Sequence, residues 1–236
     1  KEDDVMGSKF DRTKRLLGFD AMEKLSNAHV AVFGIGGVGG HAVEALVRSG
    51  IGVITIVDSD EIAESNINRQ IIASYDTLGM SKVEVMKKRI LSINPRCEVT
   101  SLEMFYLPEN SHLIDFTQFD YVVDAVDTVT AKILIIEKSQ RAEVKVISSM
   151  GTGNKLDPTK FKIANINQTT VCPLAKVIRV ETRKRGIKKL KVLYSKETPA
   201  KPTDGENRRI PASCAFSTSA PYFLASLTAS LATLTL

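Results

Sequence analysis

The chain is 236 residues long, 43% hydrophobic and 25% charged, with a formal net charge of +5. That is enough apolar content for a full core, either in one large α/β domain or in a domain with a small carboxyl-terminal lobe. The three cysteines, Cys97, Cys172 and Cys214, exclude a closed four-thiolate zinc site within one chain. Their odd number, with no signal-peptide pattern, predicts a reducing, intracellular setting without a disulfide scaffold.

In chain order, an apolar run near 28–33 leads into GIGGVG and then a helical stretch near 38–49. This reads as strand, turn and helix, with Gly34, Gly36, Gly37 and Gly39 in the turn. Glycines let the backbone turn tightly and bring its N–H groups close to a phosphate, at a helix end that favours negative charge. A second strand near 53–57 ends in Asp58, nineteen residues beyond Gly39, where a carboxylate suits the hydroxyls of a ribose. Up to this point the pattern fits any dinucleotide site, or a turn that holds no ligand.

The next residues separate a triphosphate from a nicotinamide dinucleotide. Asp60 is followed by SNINRQ, which carries Asn66, Asn68, Arg69 and Gln70, and then by a helix near 81–93 that opens on Ser81, Lys82, Val83 and Glu84. A triphosphate losing pyrophosphate needs more charge neutralised than a dinucleotide does, and Arg69 and Lys82 supply it. Taken singly, each would read as ordinary surface charge. Ser81 and Glu84 spell a capping box, which places Lys82 in the first helical turn, unfavourable for a cation unless a phosphate offsets it.

Further strands are predicted near 97–102, 119–124 and 144–148, with a helix near 129–141. The alternation predicts an α/β fold with a doubly wound, mainly parallel sheet. Asp127, read as the end of the strand YVVDAVD, is either a hard oxygen ligand suited to Mg²⁺ or a cap for the helix that starts near Val129. From Lys176 to Arg209 there are twelve Lys or Arg against four Asp or Glu. This is either a surface for RNA phosphates or a solvated helix face. Residues 197–209 read as a mobile loop. The uncharged tail from 210 to 236 reads as a buried or interface helix, too short beyond Pro221 to span a membrane. The predicted division is residues 1–170 and 171–236. His29, His41 and His112 have no partner pattern and receive no role.

The ordered set GxGGxG, Asp58-x-Asp60, SNINRQ, Lys82 and YVVDAVD resembles the E1-like adenylating superfamily of the ThiF and MoeB type, over residues 10 to about 165. The resemblance implies a Rossmann-like adenylation fold that uses ATP and Mg²⁺. It implies Asp58 on the ribose, Arg69 and Lys82 on the phosphates, and Asp127 on Mg²⁺, with Asp60, Asn66 and Gln70 completing the shell. It also implies a homodimer in which an amino-terminal arginine, Arg15 rather than Arg12, reaches the other subunit's site.

The stretches ISSMGTGNKLDPTKF, TTVCPLAKVIRVETRKRGIKKLKVLYS and RRIPAS are similar to the tRNA threonylcarbamoyladenosine dehydratase branch, extending the likeness to about residue 213. That branch implies adenylation of a tRNA-borne carboxylate followed by ring closure, with release of AMP and pyrophosphate. It implies tRNA rather than DNA as partner, with RNA contacts at Lys176, Arg179, Arg183, Lys184 and Arg185. It further implies a sulfur-relay protein partner and a cytoplasmic location. The Asp127-Thr128 pair departs from the Asp-Asn of many relatives, and the uncharged tail departs from the branch pattern.

Two other readings stand beside this one. Adenylation of a ubiquitin-like sulfur carrier is disfavoured by the missing Cys-x-x-Cys pairs and by the basic terminal third. An NAD-linked oxidoreductase leaves Arg69, Lys82 and Asp127 without work. Cys172 occupies the region where some relatives place a thioester or persulfide cysteine. Intramolecular ring closure needs no covalent enzyme intermediate, so a structural thiol is the expectation.

Overall fold

The computed structural model describes residues 8–200. The tail from 210, Cys214 and most of the predicted loop 197–209 lie outside the described residues. Two short helices, α1 (Asp11–Leu17) and α2 (Phe19–Asn27), precede the first strand and were not predicted. They are separated at Gly18, whose φ of +86° is open to glycine and costly for other residues.

The strands β1 (His29–Phe33), β2 (Val53–Asp58), β3 (Glu98–Glu103), β4 (Tyr121–Asp124) and β5 (Lys145–Ser149) pair in parallel. They alternate with α3 (Gly39–Ser49), α4 (Lys82–Ile93) and α5 (Val129–Arg141). The chain continues through β6 (Phe161–Asn165), α6 (Pro173–Lys184) and β7 (Lys191–Ser195). The seven strands form one sheet in the order β3-β2-β1-β4-β5-β7-β6, in which only the β6–β7 pair is antiparallel. The boundary placed at residue 170 is therefore not a division of the sheet: β7 lies between β5 and β6, with strands from both sides of that boundary.

Alternate residues of the strands feed two cores. Val30, Val32, Ile54, Ile56 and Ile147 pack with α2, α3 and α4 on one face. Ala31, Phe33, Val122, Val146 and Val192 pack with α5 and α6 on the other. Strands buried on both faces read as continuous apolar runs, which is why β1, β2 and β4 were legible. Each fully buried Val or Ile contributes about 1.5–3 kcal/mol. The order reverses between β1 and β4, so the crevice beyond their carboxyl ends is the switch point where such sheets hold ligands.

Candidate active site

A cavity of about 350 Å³ opens at that switch point. Its wall includes Gly34, Gly36, Gly37, Asp58, Asp60, Asn66, Arg69, Gln70, Lys82 and Asp127, which the sequence had singled out. Gly39 stands behind the wall. A Cβ there would fall 1.7 Å from the Gly34 carbonyl oxygen, and one on Gly34 would fall 2.7 Å from the Ala125 oxygen. Gly34 lets the end of β1 approach the segment after β4, and Gly39 lets the start of α3 close against the turn. Gly36 and Gly37 differ, because a Cβ on either meets nothing closer than 3.4 Å, so any demand for glycine there comes from the cavity side.

Asp58 ends β2 and braces the glycine turn. Its Oδ2 accepts from the Ile35 N–H at 2.6 Å and its Oδ1 from the Asp60 N–H at 2.9 Å. Burial pushes its carboxyl above the ordinary range, while Lys82 and the two N–H groups oppose that shift. Further lone pairs on the same carboxylate remain for a ligand hydroxyl.

Lys82 is the first residue of α4, buried, with Nζ 2.6 Å from Asp60 and 4.0 Å from Asp58. The predicted capping box does not form. Ser81 occupies the cap position without a side-chain bond, and Glu84 instead accepts from the Ser101 hydroxyl of β3 at 2.7 Å. Arg69 donates to the Ser65 carbonyl at 2.7 Å and to the Asn68 side chain at 3.0 Å, with no carboxylate partner among the described residues. Asn66 Oδ1 accepts from the Ala63 N–H at 3.1 Å. Gln70 Oε1 is buried, without a partner among the described residues.

Asp127 is not at the end of the strand. β4 stops at Asp124, and Asp127 is exposed in the following turn, three residues on. It is not the helix cap either, since Thr128 holds that position. The carboxylate that does end β4, Asp124, is fully buried and went unassigned. Lys132 Nζ lies 2.9 and 2.8 Å from its two oxygens, and the Ser148 hydroxyl donates to it. Burial raises the Asp124 carboxyl, and the Lys132 ammonium opposes that rise. Its sequence signal was a charge at the end of YVV facing a lysine within the apolar AKILII. Also missed was the apolar end of the cavity, formed by Phe33, Met104, Phe105 and Tyr106.

Arg15 is exposed on α1 and does not line this cavity in its own chain. The basic set splits. Lys176, Arg183 and Lys184 are exposed on α6, whereas Arg179 donates to the Thr169 carbonyl and hydroxyl at 2.7 Å. Lys184 and Arg185 both pair with Glu181. Cys97 and Cys172 are buried free thiols, and burial lifts Cys97 to about 11. Among the described residues no helix is long and apolar enough to cross a membrane.

A doubly wound sheet with a glycine turn, a ribose-type carboxylate and two cations on one crevice defines a nucleotide-binding α/β protein built for a polyphosphate. More particularly, the chain belongs to the ThiF family, whose model matches residues 10–233. It is 47% identical over 191 residues to a tRNA threonylcarbamoyladenosine dehydratase of Bacillus subtilis, covering 80% of this chain and 75% of that protein. It is 40% identical over 176 residues to the Escherichia coli protein of the same name, covering 75% of this chain and 66% of that one. The solved structure of the E. coli tRNA N6-threonylcarbamoyladenosine dehydratase in complex with ATP superposes with a TM-score of 0.89 at 32% identity, over 98% of this chain and 96% of that chain.

Proposed function

We propose that this protein is an ATP-dependent dehydratase that adenylates the carboxylate of tRNA threonylcarbamoyladenosine and promotes its cyclisation. The observation that carries the reading is the convergence of Asp58, Arg69, Lys82 and Asp127 on one cavity at the switch point. A carboxylate oxygen of the substrate attacks the α-phosphorus of ATP, the bond to the β-phosphate breaks, and pyrophosphate leaves. A nucleophile in the same nucleoside then attacks the acyl carbon, AMP departs with the former carboxylate oxygen, and a proton is lost. The net change is the removal of one water.

Asp58 takes the ribose hydroxyls, and the N–H groups of the Gly36–Gly37 turn face the phosphates. Arg69, which lacks a carboxylate partner among the described residues, and Lys82, held by Asp60, neutralise charge as pyrophosphate forms. Among the described residues no three His, Cys, Asp or Glu cluster as a metal cage. Mg²⁺ is ordinarily held by one or two carboxylates together with substrate phosphates, so an exposed carboxylate on the cavity wall without a cation partner among the described residues fits it. Asp127 would hold it, with Asn66 and Gln70 on the same cavity wall, and bound Mg²⁺ would supply charge neutralisation on the phosphates.

The partners in this reading are tRNA, a second copy of the chain and a sulfur-relay protein, in the cytoplasm. For the dimer, α1 buries no side chain, and Leu16 beside Arg15 is 82% exposed. Such a face suits a second copy that receives Arg15 in its cavity. Lys176, Arg183 and Lys184 give α6 a cationic face for RNA phosphates.

The test is pyrophosphate release from ATP and Mg²⁺, with and without tRNA bearing threonylcarbamoyladenosine. The expected result is release that requires the modified tRNA and that falls about 10²–10³-fold in Lys82→Ala. Release that ignores the modification, or full activity in that variant, would overturn the assignment.

A further inference from the structure

The loop between β5 and β6 has no regular structure over residues 151–157, so its course depends on what holds it. It is held at both ends. The Met150 N–H bonds the Leu193 carbonyl of β7 at 2.8 Å, and from Asn154 onward the loop is clasped by the strap that follows β7. The Glu197 carboxylate accepts from the Leu156 N–H at 2.9 Å and from the Asp157 N–H at 3.0 Å, so both of its oxygens are engaged. The Ala200 N–H donates to the Asn154 carbonyl at 2.9 Å, and the Lys196 N–H to the Lys160 carbonyl at 3.0 Å. Residues 197–200 open the stretch predicted as a mobile loop. Bonds to a segment 40 residues upstream tie them down instead.

The clasp has further support from buried groups. Lys155 is 1% exposed, and its ammonium donates to the Glu197 carbonyl, with no carboxylate partner among the described residues. Burying an ammonium is costly and an apolar side chain of similar volume would cost less, so what the lysine adds is a fixed position for the strap. The Glu197 N–H in turn bonds the hydroxyl of Ser195, fully buried at the end of β7. The sheet anchors the strap, and the strap anchors the loop.

Between the two anchors lie only Gly151, Thr152 and Gly153, and so short a span passes a displacement of Asn154 on to Thr152. Among the described residues, Thr152 is the one residue beyond Ala131 on the wall of the first cavity. The groups assigned to the nucleotide come from the ends of β1 and β2 and from the segment up to Lys82. β5 lies on the other side of β4 from these, so its loop faces the nucleotide across the crevice.

Resting on the dehydratase reading, we infer that Glu197 is a positioning residue for the RNA side of the active site, its clasp setting the Thr152 wall against which the tRNA-borne arm is held. The reaction demands such a device. The substrate oxygen must be in line with the α-phosphorus, and a misplacement of about 1 Å costs up to about 10²-fold in rate.

The test compares the full chain with Glu197→Ala, Glu197→Gln and Ala200→Pro at a temperature below every thermal midpoint. kcat and KM for tRNA bearing threonylcarbamoyladenosine are measured at saturating ATP, and ATP affinity by calorimetric titration without tRNA. Glu197→Ala is expected to lower kcat/KM for the modified tRNA by about 10- to 100-fold, with ATP affinity within about twofold of the parent. Glu197→Gln keeps one carbonyl oxygen for the two N–H groups and should recover most of the loss. Ala200→Pro removes a single N–H from the clasp and leaves the carboxylate in place, so a smaller loss in the same direction is expected. It also keeps the inference testable should Glu197→Ala fail to fold. Unchanged kcat/KM for modified tRNA in Ala200→Pro, and in Glu197→Ala where it folds, would leave the clasp purely structural and overturn the inference, whatever the midpoints. So would an equal fall in ATP affinity, which would put the loop on the nucleotide side. A parent chain that binds ATP but releases no pyrophosphate with modified tRNA would overturn the dehydratase reading instead, and is seen before any variant is made.

Discussion

Lys132 Nζ sits between the two carboxylate oxygens of Asp124, with both side chains fully shielded from solvent. The pair joins α5 to the end of β4, and Ser148 extends it to β5. It lies beneath the turn that carries Asp127, because the Val126 N–H also reaches Asp124, at 3.3 Å. Lys132→Met is expected to lose about 3–5 kcal/mol of stability, since it leaves a buried carboxylate uncompensated. Asp124→Leu combined with Lys132→Met should recover much of that loss, as read by urea denaturation. A single variant as stable as the parent would mean that the pair is not holding the turn.

The four glycines of the turn should separate folding from binding. Gly34→Ala meets both a φ of +88° and the Ala125 oxygen, so the expected outcome is a strongly destabilised protein. Gly36→Ala meets only the Gln70 side chain, at 3.9 Å. It should melt within a few degrees of the parent while losing ATP binding by about tenfold or more, because its methyl occupies the phosphate approach. Calorimetric titration with ATP would decide, and intact binding in Gly36→Ala would place the phosphates elsewhere.

The pH dependence of stability should show a buried histidine beside the site. His41 is buried in α3, where its ring reaches the Arg69 carbonyl at 3.3 Å, and burial holds its pKa below the usual 6.5. Above 6.5 the ring is neutral in both states and costs nothing. As pH falls below that value the unfolded chain binds the proton first, so stability declines until the lower folded pKa is passed. His29, also lowered by burial, acts in the same direction. His41→Asn should flatten part of that decline in thermal midpoints taken across the acid range, and an unaltered slope would remove His41 as its source.

Salt-dependent tRNA binding should divide the basic residues as the structure divides them. Charge reversal at Lys176 and Arg183, which are exposed and unpaired among the described residues, is expected to weaken binding and reduce the salt slope by about one for each phosphate no longer neutralised. ATP affinity should be unaffected. Arg179 is tied to Thr169, so its replacement should lower stability first. Equal effects from Arg179 and Arg183 would contradict this division.

The parts of this protein that were legible in the sequence are those set by local pattern. The apolar runs of β1, β2 and β4, the glycine turn and the position of Lys82 at a helix start follow from short-range periodicity and turn chemistry. Less legible were features that depend on distant neighbours. β7 is five residues that insert between β5 and β6, and nothing in KVLYS names those partners. Glu84 abandons its cap for Ser101, seventeen residues away. Asp124 and Asp127 look alike in YVVDAVD, yet the strand end buries the first against Lys132 and leaves the second exposed on the cavity. Glu197 gives no signal in the sequence, because the N–H groups it accepts from lie 41 and 40 residues upstream.

The central claim, that a tRNA-borne carboxylate attacks the α-phosphorus of ATP, is tested most directly by isotope transfer. Modified tRNA whose threonyl carboxylate carries heavy oxygen would be turned over with ATP, and the AMP examined by mass spectrometry. The account predicts one heavy oxygen in the phosphate of AMP and a nucleoside lighter by one water. Unlabelled AMP, or label in the pyrophosphate, would contradict it.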